Sequence, residues 1–318
     1  MRLSRDIGGR CVRHRCLGVS FARMTVFVLV ATLLGACGSS GGAAAPATVA
    51  APAPSPTVGT DINLLFMGNS HTSVNNLTGM VTAMMRAGFP SKSVAAVEAP
   101  GWMFLEERPA DTASLNLLRS RQWSFVILQA QKYSSSGRFS YSTAEAEELI
   151  RLSRIQSALP VLFPEWSRKG IAETQRMIDL HTSIARKQPA CIAPIPQAFD
   201  LAQSRHPQLV LHDRDGNHSA PAGAFLAALI LYATMSNLSP LTLPTLPQFG
   251  VGDDTQSMLR AIAAETVQAN SPRLWCPRDE CRETGKPEAW YGISAADDCG
   301  KTLARQTIRQ PDGQRVLN

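Results

Sequence analysis

The chain has 318 residues, of which 44% are hydrophobic, 18% charged and 6% aromatic. This composition excludes a disordered or collagen-like chain and supplies enough apolar residues for one sizeable core. The formal net charge is +6, but residues 1–36 hold six arginines and one acid, so residues 37–318 carry only +1. Because sequence-independent affinity for nucleic acid comes from clustered Lys and Arg, we exclude nucleic acid as a partner.

Residues 1–36 have the pattern of a secretory signal peptide. An arginine-rich start is followed by 13 apolar or small residues from Met24 to Ala36. This run is too short to span a bilayer, which takes about 20 residues. A basic segment, a short apolar run and small residues at its end are typical of a cleaved signal. The basic segment is long, so translation starts at either Met1 or Met24.

The end of this signal, Leu34-Gly35-Ala36-Cys37, resembles the lipobox of bacterial lipoproteins. The resemblance implies that Cys37 is acylated and becomes the first residue of the mature protein. Gly38, rather than Asp, follows the cysteine, as in lipoproteins of the outer membrane. Residues 37–60 are rich in Ala and Pro and too poor in apolar surface to fold, which predicts a tether. We expect a cell-envelope protein that faces the periplasm; an ordinary signal peptide preceding Cys37 is the alternative.

Four cysteines remain outside the leader and the lipobox: Cys191, Cys276, Cys281 and Cys299. In an oxidising compartment they predict two disulfides, and the sequence does not choose among the three pairings. Zinc binding is the rival interpretation. Cys276 and Cys281 are separated by four residues with no histidine soon after, which is a poor zinc spacing. We therefore expect neither a metal nor a cofactor.

From residue 61 short apolar runs alternate with longer amphipathic ones, which predicts βαβ units around a parallel sheet. The predicted strands are Asn63–Met67, Val94–Val97, Phe125–Gln129, Pro160–Phe163 and Cys191–Ile195. The predicted helices are Val74–Ala87, Ala110–Arg119, Thr143–Ser157, Ile171–Lys187, Ala220–Met235 and Thr255–Ala269. These elements predict an α/β domain over residues 61–269, a three-layer α/β/α sandwich with a central, mostly parallel five-stranded sheet. Residues 270–318, with three cysteines, are predicted to be a disulfide-pinned extension.

The first predicted strand ends at Gly68-Asn69-Ser70-His71-Thr72, before a helix. A small-residue turn at the carboxyl end of a first parallel strand is where an α/β sheet presents a nucleophile. Ser70 is therefore a candidate nucleophile. The alternative is that Asn69, Ser70 or Thr72 only caps the helix that follows.

A second polar segment, Asp215-Gly216-Asn217-His218, precedes the helix predicted at Ala220–Met235. Asp215 and His218 are three residues apart, so one turn can bring the carboxylate to the imidazole Nδ1–H. A serine nucleophile needs a base, and the base needs an orienting acceptor. His212 and Asp213 compete for the same roles.

Together, Gly68-Asn69-Ser70 and Asp215-x-x-His218 resemble the first and last signature blocks of the SGNH, or GDSL-type, hydrolase superfamily, over residues 61–236. The resemblance implies a flavodoxin-like α/β/α sandwich that hydrolyses esters. It implies that Ser70 is the nucleophile, His218 the general base and Asp215 its orienting acid. The first block departs from the usual Gly-Asp-Ser-Leu, which places His71 beside the nucleophile.

The same resemblance implies an oxyanion hole formed by the backbone N–H groups of Ser70 and Gly101 and one side chain after the third strand. The family has an asparagine there, whereas this chain has Leu128-Gln129-Ala130-Gln131-Lys132. Gln131 falls at the asparagine position and Gln129 is the second choice. We further predict that four side chains line the substrate pocket: His71, Trp102, Gln129 and Trp166. A structural role is the alternative for His71, and burial in the core is the alternative for the two tryptophans.

We therefore expect a monomeric serine ester hydrolase, anchored to the membrane through Cys37. By analogy with the family, the ester substrate is expected to be an O-acyl group on an envelope glycan. Two alternatives stay open. One is a catalytically silent, glycan-binding lipoprotein, and the other is an O-acyltransferase that uses Ser70, Asp215 and His218 on an acceptor hydroxyl.

Overall fold

The computed structural model describes residues 60–277. The predicted signal peptide, Cys37, Cys281 and Cys299 lie outside the described residues. The described strands are β1 (Ile62–Met67), β2 (Val94–Glu98), β3 (Phe125–Gln129), β4 (Leu159–Phe163) and β5 (Cys191–Ile192). The described α-helices are α1 (Ser70–Ser73), α2 (Leu77–Gly88), α3 (Thr112–Arg119), α4 (Ala144–Ile155), α5 (Thr174–Lys187), α6 (Ile195–Arg205), α7 (Pro221–Ser236) and α8 (Asp253–Ala269).

The strands form one parallel sheet in the order β2-β1-β3-β4-β5. Leu64 of β1 lies opposite Ala96 of β2 on one side and Phe125 of β3 on the other. This is the flavodoxin-like order, in which the chain changes direction across the sheet between β1 and β3. Ligands of such sheets bind at the carboxyl edge beside this switch point, and the residue that follows β1 lies there.

Helices cover both faces of the sheet. Successive side chains of a strand point to opposite faces, so Leu64 and Phe66 of β1 enter one core while Leu65 and Met67 enter the other. The first core also contains residues of α2, α6, α7 and α8, and the second contains residues of α3, α4 and α5. The predicted three-layer α/β/α sandwich is confirmed. Burial on both faces explains why the strands are nearly continuous apolar runs.

Helix α7 is apolar on all sides because it lies inside the first core. Its residues are buried from Gly223 to Ser236, and it contacts α2, α6 and α8. A helix that is hydrophobic all round needs such neighbours. Among residues 60–277, no helix combines the length and the apolar character needed to cross a membrane.

Several element boundaries differ from the predictions, and two of these differences have a clear physical cause. Helix α2 begins at Leu77 instead of Val74, because Asn75 and Asn76 have left-handed φ values of 58° and 55°. The fifth strand ends at Ile192, and Ile195 begins α6, a helix that the sequence did not predict. Pro196 lies in the first turn of α6, where a missing backbone N–H costs no helical hydrogen bond.

A disulfide between Cys191 and Cys276 joins β5 to residues 270–277, which we call the C-terminal strap. The backbone N–H of Ile192 donates to the Pro272 carbonyl at 3.1 Å, on the side of β5 that faces away from β4. The Arg186 guanidinium lies 5.2 Å from the centre of the Trp275 ring. The first residues of the predicted extension therefore pack against the domain.

Candidate active site

Ser70 begins α1 at the carboxyl end of β1. Asn69 is the N-cap of this helix, and its Oδ1 accepts a hydrogen bond from the backbone N–H of His71 at 3.1 Å. Since Asn69 supplies the cap, the Ser70 hydroxyl is left for another partner. Of the two roles that the sequence left open, helix capping thus belongs to Asn69, and Ser70 is available as the nucleophile.

The Ser70 hydroxyl meets His218 across the carboxyl edge of the sheet. Ser70 Oγ lies 2.8 Å from His218 Nε2, and His218 Nδ1 lies 2.5 Å from Asp215 Oδ2. An ionised carboxylate only accepts hydrogen bonds, so Nδ1 carries the ring proton and Nε2 accepts from the Ser70 hydroxyl. The structure therefore brings the three predicted residues into one hydrogen-bonded chain.

Asp215 is held as an anion by its own turn. Its Oδ1 accepts hydrogen bonds from the backbone N–H groups of Asn217 and His218, both at 2.9 Å. The hydrogen bond from the His218 ring, followed by these two, holds the pKa of Asp215 well below its usual range. An ionised carboxylate at this position keeps the imidazole in one tautomer and stabilises the imidazolium when it forms.

Residues 212–219, which we call the base turn, form a short loop closed by main-chain contacts. His212 and Ser219 form an antiparallel bridge, and the N–H of Asp213 donates to the His218 carbonyl at 2.8 Å. The indole N–H of Trp166 donates to the Asn217 carbonyl at 2.8 Å. These contacts fix the backbone on both sides of the His218 ring.

The competing residues of the base turn are engaged elsewhere. The buried His212 ring places Nε2 at 2.8 Å from the Ser167 carbonyl, and Asp213 accepts from the N–H of Arg214. Neither contact leads to Ser70. Among residues 60–277, no group of three or more His, Cys, Asp and Glu side chains is arranged to hold a metal ion.

His71 lies behind the base and not in an open pocket. Its ring stacks on His218 with centroids 4.9 Å apart and contacts Trp166 at 5.1 Å. His71 is 6% exposed and Trp166 is 1% exposed, which favours the alternatives of a structural role for His71 and core burial for Trp166. Burial lowers the pKa of His71, while the nearby Glu165 carboxylate opposes that shift. A neutral His71 adds no positive charge beside the imidazolium that His218 must form.

Gln129, the last residue of β3, connects three segments of the site. Its Oε1 accepts from the Asn69 N–H at 2.7 Å and from the Thr72 hydroxyl at 2.9 Å. Its Nε2 donates to Asn69 Oδ1 at 3.0 Å and to Glu165 Oε1 at 2.6 Å. Gln129 is 0% exposed, and all four of these side-chain contacts are with protein groups. It fixes residues 68–73, which we call the nucleophile turn.

The Gln131 amide is engaged away from the oxyanion role that the resemblance implied for it. Its amide nitrogen donates to the Lys132 carbonyl at 3.1 Å and to the Ser142 carbonyl at 2.9 Å. An amide NH₂ has two protons, and both are used in these contacts. The backbone N–H groups of Ser70 and Gly101 stay as the candidate oxyanion donors. Gly101 has a φ of +72°, a conformation that favours glycine.

A small pocket opens between the nucleophile turn and the loop after β2. Its volume is about 170 Å³, and it is lined by Phe66, Gly68, Thr72, Ser73, Glu98, Ala99, Gly101 and Trp102. Trp102, for which a pocket-lining role was predicted, is among these residues and is 70% exposed. The pocket borders Gly101, one of the two candidate oxyanion donors.

No protein-family model and no curated protein matches this sequence. A solved structure of a DUF4886 family protein from Bacteroides uniformis is similar to it, with 15% identity, 65% of this chain and 95% of that chain covered and a TM-score of 0.50. A Slackia heliotrinireducens protein named as an SGNH hydrolase is 23% identical over 55% of this chain and 98% of that chain, with a TM-score of 0.45. TesA is 15% identical over 55% of this chain and 98% of that chain, with a TM-score of 0.42.

These likenesses concern the fold. The sheet order and the match to the Bacteroides uniformis protein agree on one α/β/α architecture. The chain therefore has the flavodoxin-like α/β/α fold that the resemblance implied. What the site does is a separate question, because one fold hosts many activities.

Proposed function

We propose that this protein is a serine ester hydrolase. The observation that carries the proposal is the hydrogen-bonded chain from Ser70 Oγ through the His218 ring to Asp215, at 2.8 Å and 2.5 Å. It lies at the carboxyl edge beside the switch point of the sheet, where doubly wound folds bind ligands. Of the activities that the fold supports, acyl transfer from an ester uses all three groups.

In the first half of the reaction, Ser70 Oγ bonds to the acyl carbon while its proton passes to His218 Nε2. The carbonyl oxygen becomes an anion that the N–H groups of Ser70 and Gly101 stabilise. The imidazolium then returns the proton to the alcohol oxygen as the bond between acyl carbon and alcohol breaks. Asp215 stays ionised throughout and holds the charged ring in place.

In the second half, water replaces the alcohol. Nε2 of His218 takes a proton from the water, whose oxygen bonds to the acyl carbon of the Ser70 ester. The Ser70–acyl bond breaks, the proton returns to Ser70 Oγ, and the acid leaves. No group other than the ester and water is consumed.

The pocket beside Gly101 supports a short acyl group. Its volume of about 170 Å³ has room for a short acyl chain and is small for a long one, and its lining includes Gly68 and Gly101. We assign the natural substrate to short O-acyl esters, such as an acetyl group on an envelope glycan. A membrane anchor at Cys37 and an outer-membrane location belong to the same proposal, and labelling with a radioactive fatty acid in cells that carry Cys37→Ala tests the anchor.

The test of the activity is hydrolysis of p-nitrophenyl acetate by the purified protein beside Ser70→Ala. We expect turnover that disappears in the variant, and a burst of nitrophenol equal to the enzyme concentration if deacylation is the slower half. Adding an acceptor sugar and analysing the products separates hydrolysis from acyl transfer. Equal rates for both proteins, or no turnover of short esters by either, would refute the proposal.

A further inference from the structure

Arg108 is a buried cation near the candidate site. Its side chain is 0% exposed, and no carboxylate of residues 60–277 forms an ion pair with it. Burial disfavours the charged form and lowers the pKa of Arg108. A buried charge without an ion-pair partner is retained only where hydrogen bonds compensate for the lost water.

The compensating acceptors of Arg108 are mainly backbone carbonyls of the two loops that border the oxyanion site. Nη1 donates to Pro100 O at 2.7 Å, and Nη2 donates to Gly68 O at 2.7 Å and to Gly101 O at 2.9 Å. Gly68 lies two residues before Ser70. One guanidinium therefore ties the nucleophile turn to the loop after β2.

A second contact of Nη1 connects the guanidinium to a carboxylate through one bridging hydroxyl group. Nη1 donates to Ser114 Oγ at 2.8 Å, and that hydroxyl donates to Asp111 Oδ2 at 2.6 Å. Asp111 is the N-cap of α3, so this relay connects the loop after β2 to a rigid helix. The guanidinium is thereby held from both sides.

The bond to Pro100 O acts on a catalytic donor directly. Pro100 C=O and Gly101 N–H belong to one peptide group, which is planar and trans, so the two bonds point in opposite directions. Holding the oxygen fixes the direction of the N–H. A charged donor on the oxygen also draws electron density from the amide, which makes the N–H a stronger hydrogen-bond donor.

We propose that Arg108 is the positioning residue of the oxyanion hole. It holds the Gly101 N–H at a fixed direction and distance from the Ser70 turn and polarises the peptide group that donates. This inference rests on the proposed ester hydrolysis. Arg108 itself is buried and does not touch the substrate.

The test compares Arg108→Met and Arg108→Lys with Arg86→Met in steady-state hydrolysis of p-nitrophenyl acetate. Arg86 is the matched control, because its guanidinium also donates to a β2-region carbonyl, that of Val94, at the amino end of the strand. We expect kcat of Arg108→Met to fall about 100-fold, as for the loss of one oxyanion donor. KM should stay near the wild-type value, because the hole binds the transition state more tightly than the substrate.

Arg108→Lys and a further variant, Ser114→Ala, keep the test decisive if Arg108→Met does not fold. Arg108→Lys retains a positive charge but not the planar guanidinium with its several N–H donors. Its kcat should therefore lie between those of Arg108→Met and the wild type. Ser114→Ala removes the relay to Asp111 and should lower kcat by a smaller factor. All rates are divided by the concentration of active sites, counted by covalent labelling of Ser70, so that a lower folded fraction does not appear as a lower kcat.

The outcomes separate the two proposals. A wild-type protein without Ser70-dependent turnover removes the ester hydrolase and the positioning role together. An active wild type with kcat unchanged in the Arg108 variants, or with KM raised and kcat unchanged, overturns the positioning role alone. A fall in kcat that Arg86→Met shares would also overturn it, because the effect would then be one of general stability.

Discussion

The nucleophile turn and the base turn meet at one point, yet different contacts hold them. The nucleophile turn is fixed by side chains from distant parts of the chain, Gln129 at 60 residues and Arg108 at 40 residues in sequence. The base turn is closed mainly by its own backbone, including the 2.8 Å bond from Asp213 N–H to the His218 carbonyl. Buried polar side chains thus hold the nucleophile turn in position, whereas local backbone hydrogen bonds hold the base turn.

The difference teaches where each turn is vulnerable. Asp215 is exposed and His218 partly exposed, so their exchange for other residues leaves few buried groups unpaired. Gln129 and Arg108 are fully buried, so their replacement leaves buried donors and acceptors without hydrogen-bond partners. Substitutions in the base turn should therefore change the rate, whereas substitutions around the nucleophile turn should change rate and stability together.

The largest effect is expected from the base turn itself. In His218→Ala, kcat should fall about 10⁶-fold, because Ser70 loses its base. In Asp215→Asn the fall should be about 10⁴-fold, since an amide no longer selects the productive tautomer. Steady-state kinetics on p-nitrophenyl acetate measure both. Melting temperatures close to wild type serve as the control, and more than a hundredth of wild-type kcat in His218→Ala would contradict the assignment.

The next effect concerns the two glutamines near β3. Gln129→Leu leaves the Asn69 N–H, the Thr72 hydroxyl and Glu165 without their partner, so the free energy of unfolding should fall by about 3 kcal/mol and kcat should fall with it. Gln131→Leu is the matched control. It should cost about 1 kcal/mol and leave kcat unchanged, because the Gln131 amide contacts only loop carbonyls. Urea unfolding and kinetics measure both; a larger loss of kcat in Gln131→Leu would restore its oxyanion role.

Buried histidines should make the folding stability of the protein fall in acid, whereas exposed histidines should not. Burial lowers the pKa of His181 to about 4 from 6.5, and it also lowers the pKa of His71. Below pH 6.5 the unfolded chain therefore binds more protons than the folded chain. The free energy of unfolding present at pH 7 is lost as the pH falls, and His181 accounts for a loss of about 3 kcal/mol at pH 4. The measurement is urea unfolding between pH 7 and pH 4. His181→Gln should flatten this dependence, and an identical slope in that variant would rule out the buried histidine as its source.

The smallest effect is expected at His71, although it adjoins the nucleophile. His71→Phe keeps a ring between Trp166 and His218, so kcat/KM should change by no more than about threefold. The variant also removes a buried Nδ1 that has no hydrogen-bond partner among residues 60–277. Kinetics and thermal unfolding measure both quantities. A loss of tenfold or more would show that His71 takes part in the chemistry.

The sequence predicted the base turn well because its geometry is local. Asp215 and His218 are three residues apart, and such spacing alone allows the contact that the structure shows. Ser70 was found from its position, since a polar turn after the first parallel strand lies at the carboxyl edge whatever else the chain contains. The five strands were likewise visible as apolar runs.

The remaining site residues depend on long-range contacts that no local pattern encodes. Gln131 was assigned by its resemblance to the family's asparagine after β3. Ala130 has a φ of 76°, so the backbone leaves the strand direction there and the match no longer predicts where the Gln131 side chain points. Arg108 was not predicted to belong to the site. Glu165 carried one usable signal, a carboxylate soon after the fourth strand.

The C-terminal strap has a consequence for how the chain behaves outside an oxidising environment. Strand β5 ends the sheet, and an uncovered sheet edge is a template on which another chain can add a strand. The Ile192 N–H donates to the Pro272 carbonyl, and the disulfide between Cys191 and Cys276 keeps that carbonyl in place. Chemical reduction would remove the covalent bond that ties this cover to β5. Preparations made under reducing conditions should therefore self-associate through β5 while the hydrogen bonds around Ser70 remain intact.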